Sequence, residues 1–331
     1  ITDLDTFEEG GTFGSSGVTY TKNEDDIDAS KHYLELTNRE QAMLERVTAD
    51  YSNVIVVVNA ANAMELGFVD EYDSIKSVVL CPGTGQTGFT ALGEILAGTV
   101  NPSGKTADTF VYDLTATPTY NNFGAFAYDN MDDYAADSYG VAVTPNFVNY
   151  VDNIYVGYRF YETAATEGLI DYDAIVQYPF GYGLSYTTFS QEMGDITESD
   201  GTITFDVTVT NNGDVAGKDV VEVYYNPPYE NGGIEKASAN LIAFDKTEML
   251  EPGASETITV SFDVEDMASY DSESAKAYVL EAGDYGISIR SDSHTILDEQ
   301  TYHVDATVAY TEGRDSDEVA ATNQFEDAEG D

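Results

Sequence analysis

The sequence has no tryptophan, one cysteine, only eight prolines and only 13 basic residues against 61 acidic ones. Each scarcity excludes something. A single thiol, Cys81, cannot form an internal disulfide framework or a cysteine-based metal cluster. The formal net charge of −48 removes nucleic acid as a partner, because phosphate neutralisation needs a basic face. It also disfavours anionic membranes. No apolar run approaches the ~18 residues of a membrane span, so no membrane contact is expected of this segment. No methionine or secretory leader opens the chain, which starts Ile-Thr-Asp-Leu, so a preceding segment is expected. What is present is a 331-residue chain, long enough for about two domains. Its 42% hydrophobic and 12% aromatic content, including 25 tyrosines, is too high for a disordered acidic chain. The acids are spread along the sequence and read as a solvated, self-repelling surface.

Residues 1–36 are acidic and glycine-rich without a clear period, and read as a long loop. Thr37-Asn38-Arg39-Glu40 is a capping box that opens a helix with Met43, Leu44 and Val47 on its apolar stripe. Residues 54–58 (VIVVV) form a β-branched run of the kind buried on both faces of a parallel sheet. A second run, residues 77–81, leads into a glycine-rich turn, and residues 89–97 read as a helix stopped by Gly98. Residues 37–98 are thus wired as α/β. Two such strands cannot satisfy their own edges, so further strands from an earlier part of the polypeptide or from another chain are expected. Residues 115–190 are rich in Tyr and Asn with weak periodicity and read as an extended crossing segment. From Thr202 onward the period becomes two: Ile203, Phe205, Val207 and Val209, then Val221, Val223 and Tyr225, then Ile258, Val260 and Phe262, then Ile287 and Ile289. Turns such as Asn211-Asn212-Gly213-Asp214 separate these stretches, which is the pattern of an antiparallel β-sandwich.

Several motifs bear on chemistry. Gly83, Gly85 and Gly88 match G-x-G-x-x-G between a strand and a helix, the context of a dinucleotide site. The acidic residue that should end the next strand is missing, since Asp108 precedes residues 109–112. A tight strand-to-helix turn is the simpler reading. Residues 98–106 (GTVNPSGKT) imitate a phosphate-binding loop, but with the wrong spacing, with Pro102 in place of an amide donor, and after a helix. His32, His294 and His303 share no ligand spacing, so no zinc site is expected. The acidic run Asn23-Glu24-Asp25-Asp26 has no EF-hand register. No cofactor and no metal are expected. Paired carboxylates suit glycoside hydrolysis, and Glu8, Glu9 and Glu24 lie in the first loop. Three solvated loop acids are the plainer alternative.

Longer stretches carry a resemblance. Residues 149–161 (NYVDNIYVGYRFY) resemble a family segment Y-x-E-G-I-Y-V-G-Y-R-Y-Y, and residues 178–189 (YPFGYGLSYTTF) its Y-P-F-G-Y-G-L-S-Y-T-x-F. Asn101-Pro102-Ser103-Gly104-Lys105 resembles N-P-S-G-R/K. Residues 207–225 (VTVTNNGDVAGKDVVEVYY) resemble the start of a fibronectin type III-like domain. In this order they resemble glycoside hydrolase family 3, which includes β-glucosidases. The resemblance implies a fold of class α/β plus all-β, a partial flavodoxin-like α/β sandwich followed by a fibronectin type III-like β-sandwich. The implied organisation is residues 1–118 as the later part of the α/β domain and 119–190 as the crossing segment. Residues 191–310 are then the sandwich, and 311–331 an acidic linker toward a barrel in a reversed-order enzyme.

The resemblance further implies a retaining β-glycosidase, with a β-glucosidase as first choice. Its nucleophilic Asp sits on a barrel that this sequence lacks, and its acid/base Glu on a loop of the α/β domain. Residues 30–37 (SKHYLELT) resemble the stretch that follows a G-E-G-x-D-L loop. Asp3-Leu4 best fits the end of that loop, which places the acid/base just before Ile1. Glu9, Glu8 and Glu24 are the weaker internal candidates. The implied partners are a carbohydrate substrate and the remainder of the same enzyme, its barrel and the first half of its α/β domain. The alternative is a non-catalytic carbohydrate-binding or cell-surface sandwich module. Sugar specificity, oligomeric state and compartment stay open.

Overall fold

A computed structural model describes residues 31–32, 34–60, 62–120 and 150–317, and the backbone of two short strands in between. The chain divides into two compact units. One comprises residues 1–89, 110–153 and 173–177, and the other residues 90–109, 154–172 and 178–331.

In the first unit, helix α1 (Asn38–Asp50) starts at the capping box read from the sequence. The Glu40 amide donates to Thr37 Oγ1 at 3.3 Å, and the Thr37 amide donates to Glu40 Oε2 at 2.9 Å. The box satisfies two of the amides that a helix start leaves without partners. Thr37→Ala is expected to destabilise this unit by about 1 kcal/mol, measured by urea unfolding followed by circular dichroism.

Strands β1 (Val54–Val58) and β2 (Ile75–Leu80) pair in parallel, as the β-branched run requires. The expectation of burial on both faces is corrected here. Val54 and Val58 are buried, but on the other face Ile55 is 51% exposed and Val57 is also exposed. No described element covers that apolar face. The short β3 (Phe110–Val111) is buried and pairs with β6 (Val176–Tyr178), and between them in sequence β4 (Phe126–Ala127) pairs with β5 (Asn146–Phe147). The Gln177 side chain, in β6, donates to Leu66 O and to Asp70 Oδ2, both at 3.1 Å.

The second unit contains almost all of α2 (Phe89–Leu96), then α3 (Tyr158–Thr166) and the first residue of the one-turn α4 (Tyr172–Ile175). Helix α2 ends as foreseen at Gly98, whose φ of +72° is a left-handed cap. The Thr99 amide donates to Glu94 O and the Gly98 amide to Ile95 O, both at 2.9 Å, the paired bonds of a Schellman motif. Helix α3 lies where the sequence reads as an extended crossing segment.

The remainder is the sandwich. Its strands are β7 (Phe189–Met193), β8 (Thr197–Ser199), β9 (Thr202–Asn211), β10 (Val220–Asn226), β11 (Asn240–Lys246) and β12 (Ser255–Asp263). They continue with β13 (Ser269–Asp271), β14 (Ala277–Leu280), β15 (Gly283–Arg290), β16 (Ile296–Val304) and β17 (Val308–Tyr310). One sheet has the order β11-β10-β15-β16 and another β12-β9-β7 with β8 on β9, while β13-β14-β17 form a third. Alternation builds the core. Ile203, Val207, Val209, Val221, Val223, Ile287 and Ile289 are fully buried, and Phe205, Ile258, Val260 and Phe262 nearly so. The opposite face of β9 and β12 carries hydroxyl pairs, Thr208–Thr257 at 3.3 Å and Thr210–Ser255 at 2.8 Å.

Candidate functional site

The carboxyl ends of parallel strands are where open α/β sheets gather ligands. In the first unit that edge is tied together by Asn59, just past β1, whose Nδ2 donates to Cys81 O at 2.7 Å. The Cys81 amide in turn donates to Val58 O at 2.8 Å. The turn that follows holds Gly83 and Gly85 at φ values of +50° and +62°. A Cβ at either would meet nothing within 4 Å, so these glycines serve backbone conformation and not close packing.

Residues 31–36 are anchored at the same unit by a set of polar contacts. The Glu65 amide donates to Leu34 O at 3.0 Å. The Leu34 amide donates to His32 Nδ1 at 3.3 Å, so Nε2 carries the ring hydrogen and donates to Glu65 Oε1 at 3.0 Å. The same Glu65 oxygen accepts from the Leu114 amide at 2.7 Å, in the turn after β3. The His32 amide donates to Glu35 Oε2 at 2.8 Å, and Lys31 Nζ donates to Leu36 O and Gln41 Oε1. Glu65 therefore bridges the segment that begins at Lys31 to the turn after β3.

The sequence candidates fall differently. Glu8, Glu9 and Glu24, and the acidic run at residues 23–26, lie outside the described residues. The three histidines do not converge: His32 meets Glu65, His294 meets Glu162 Oε2 at 2.8 Å and His303 meets Asp284 Oδ1 at 2.6 Å. Among the described residues no three His, Cys, Asp or Glu side chains are grouped to hold a metal ion. Lys105, the lysine of the phosphate-loop imitation, donates to Ser291 O at 3.2 Å.

Two buried carboxylates in the second unit escape a reading of the sequence. Glu162, on α3, accepts from Tyr172 Oη at 2.7 Å, Ser293 Oγ at 2.8 Å and His294 Nδ1 at 2.8 Å. The His294 ring stacks on Tyr172 with centroids 3.7 Å apart. Burial, then the Glu162 charge, pushes the Tyr172 phenol well above its ordinary range. Nearby Arg290 donates to Ser288 Oγ at 2.9 Å and Ser293 O at 2.6 Å. Burial pulls its guanidinium below the ordinary arginine range, and Glu162 opposes that most strongly. Glu222, on β10, accepts from Tyr224 Oη at 2.8 Å, and burial lifts its carboxyl to about 7 against the pull of Tyr224 and Lys105.

The long motifs meet around these groups. Asn101 donates to Ala216 O at 3.1 Å and accepts from Ser185 Oγ at 3.0 Å and the Tyr186 amide at 2.8 Å. The Thr106 amide donates to Tyr182 O and the Gly181 amide to Thr106 O, both at 2.8 Å. A Cβ on Gly183 would stand 2.3 Å from Gly104 O, and one on Gly181 would stand 2.2 Å from Glu222 Oε2. Residues 101–106 and 178–186 are thus a clamp in which the close approach of Gly183 to Gly104 needs glycine, while Gly181 takes a φ of +82°.

A unit with parallel strands and a second unit built on an antiparallel sandwich define a chain of two architectures. The sequence matches the glycosyl hydrolase family 3 C-terminal domain over residues 15–186 and a fibronectin type III-like domain over residues 219–293. The chain belongs to glycoside hydrolase family 3. Beta-glucosidase A of Butyrivibrio fibrisolvens is 36% identical over 297 residues, covering 82% of this chain and 32% of that enzyme. A beta-glucosidase of Ruminococcus albus is 34% identical, covering 88% of this chain and 28% of that enzyme. Among solved structures, beta-glucosidase 3B from Thermotoga neapolitana in complex with glucose superposes with a TM-score of 0.69 at 31% identity. That match covers 83% of this chain and 35% of that one. The chain spans about a third of the length of the relatives it matches.

Proposed function

We propose that this chain is the α/β and fibronectin-like portion of a retaining β-glycosidase that releases terminal β-linked glucose from oligosaccharides. The nucleophilic Asp belongs to a barrel in the remainder of the enzyme. The acid/base Glu lies N-terminal to Lys31, with domain boundaries near residues 118, 190 and 310. Retaining hydrolysis needs the two carboxyl groups about 5–5.5 Å apart, one as nucleophile and one as proton donor and then base. A chain with one of them at most is inactive alone. The observation that carries the reading is the matching of both domains in order to enzymes named as β-glucosidases. The exposed Ile55 and Val57 support it, since an apolar sheet face of this kind calls for a neighbour.

The test is denatured intact mass together with hydrolysis of an aryl β-glucoside, on the 331-residue chain and on the native polypeptide that contains it. Activity confined to a longer polypeptide carrying barrel sequence is the expected result. A native species of 35.9 kDa alone, without activity but with glycan binding, overturns the enzyme reading in favour of a binding module.

A further inference from the structure

We infer that Asn231 is a site of spontaneous covalent modification: the Gly232 amide nitrogen closes on the Asn231 side chain, and hydrolysis leaves aspartyl and isoaspartyl residues in its place.

The sequence holds two Asn-Gly steps, Asn212-Gly213 and Asn231-Gly232, and one Asp-Gly step, Asp200-Gly201. A following glycine favours ring closure because no Cβ shields the attacking nitrogen or restricts its backbone. Sequence alone therefore ranks the two asparagines equally. The structure separates them. The Asn212 amide donates to Thr188 O at 2.8 Å, and the Gly213 amide donates to Asn211 Oδ1 at 3.1 Å. Asn211 is fully buried, and a Cβ on Gly213 would stand 2.2 Å from Thr187 Oγ1. That nitrogen is tied down and crowded. At the Asp-Gly step the Gly201 amide donates to Glu198 Oε1 and Gly201 O accepts from the Val264 amide, both at 2.8 Å.

Asn231 and Gly232 differ on each count. Both are exposed, and the Gly232 amide donates to no described residue. A Cβ on Gly232 would meet nothing within 4 Å. The Gly233 amide donates to Glu230 O at 2.9 Å, so Asn231 and Gly232 are the corner of an exposed turn. That turn lies in the loop between β10 and β11, which is held on either side of it. Lys236, 3% exposed, donates to Pro228 O and pairs with Glu281, and Tyr155 Oη donates to Glu235. Rearrangement at the corner thus breaks no contact of the sandwich core, whereas at Asn212 it needs local opening.

The chemistry needs only water. The deprotonated Gly232 nitrogen bonds to Asn231 Cγ and ammonia leaves, closing a five-membered succinimide. Water then cleaves one of the two ring bonds to that nitrogen. Cleavage at Cγ restores the ordinary backbone as aspartate. Cleavage at the main-chain carbonyl routes the backbone through the side chain as isoaspartate. One water is consumed and one ammonia released, and a new carboxylate stands beside Glu230.

The test ages the native polypeptide that contains this chain in mildly alkaline buffer, beside a sample held unfolded in guanidinium chloride. Ageing continues until the Asn212 peptide of the unfolded sample is half converted. Peptide mapping by mass spectrometry reads the gain of about 1 Da, and isoaspartyl methyltransferase marks the isoaspartyl product. The ratio of conversion at Asn231 to that at Asn212 is expected to be at least about ten-fold higher in the folded sample than in the unfolded one. A ratio that folding leaves unchanged or lowers, or an Asn231 that converts only when unfolded, overturns the inference.

Discussion

Glu162→Ala is expected to destabilise the second unit by about 3–5 kcal/mol, the cost of removing one member of a buried charged group. The side chain is 5% exposed and serves three donors at once. Truncation leaves the Tyr172 and Ser293 hydroxyls without their acceptor and strips Arg290 of its strongest neighbouring anion. Arg290 is itself buried, so its charge is then left to the weaker pull of Glu299 and Asp292. For a unit of this size the melting temperature falls by about 10 °C, read by calorimetry. Glu162→Gln separates the contributions. Glutamine retains an acceptor for two of the three donors but removes the charge, so its loss falls between wild type and alanine. Equal melting of Glu162→Ala and wild type contradicts the assigned role of this carboxylate.

This same helix shows where a sequence is hard to read. Its buried positions are Tyr161, Glu162 and Ala164, and a carboxylate turned inward breaks the apolar period that marks a helix. The compensating partners, Ser293 and His294, are 131 and 132 residues away. Helix α1 was legible because its signal is local: Thr37 and Glu40 are three residues apart and need nothing else. The sandwich was legible because period two depends only on which face is wet, and Ile203 through Val209 state that plainly. The run at residues 54–58 revealed the parallel strand but not its environment. Composition reports that a residue is suited to burial and not that a neighbour is there to bury it, as Ile55 and Val57 show. Of the contacts around Glu65, His32 stood inside a recognisable segment, while Glu65 and Leu114 are 33 and 49 residues removed from their partners and carry no local mark.

The long motifs illustrate a related point. Asn101, Gly104, Gly181 and Gly183 sit in the stretches that carry the family resemblance, yet the structure engages them in backbone contact. Fixed spacing in such stretches is explained by the closeness of two backbones. The requirement falls on Gly183, where a Cβ would overlap the Gly104 carbonyl oxygen, and on Gly181, whose φ of +82° favours glycine.

Glu222 supplies the second large effect, and its sign is opposite to that of an ordinary salt-bridged acid. Its folded-state carboxyl titrates at about 7 against 4.5 for a solvated glutamate, chiefly because burial penalises the charge. The charged groups around it are Lys105, which favours ionisation, and Asp292 and Asp219, which oppose it. Between pH 4.5 and 7 the folded state holds a proton that the unfolded state has lost, so stability falls as pH rises through that window. Below 4.5 the group contributes no penalty, and above 7 the penalty is complete at about 3 kcal/mol. Glutamine at this position cannot ionise but still accepts from Tyr224. Glu222→Gln is therefore expected to match wild type at pH 4.5 and to exceed it by up to about 3 kcal/mol at pH 8, measured by urea unfolding of both proteins at each pH. Comparing the variant with wild type at each pH cancels the repulsion among the other 60 acids, which bears on both alike. A difference that does not grow with pH contradicts the role assigned to burial. If it does grow, the clamp formed by residues 101–106 and 178–186 closes over a carboxylate that is neutral in acid and charged in base, and it holds most firmly at acidic pH.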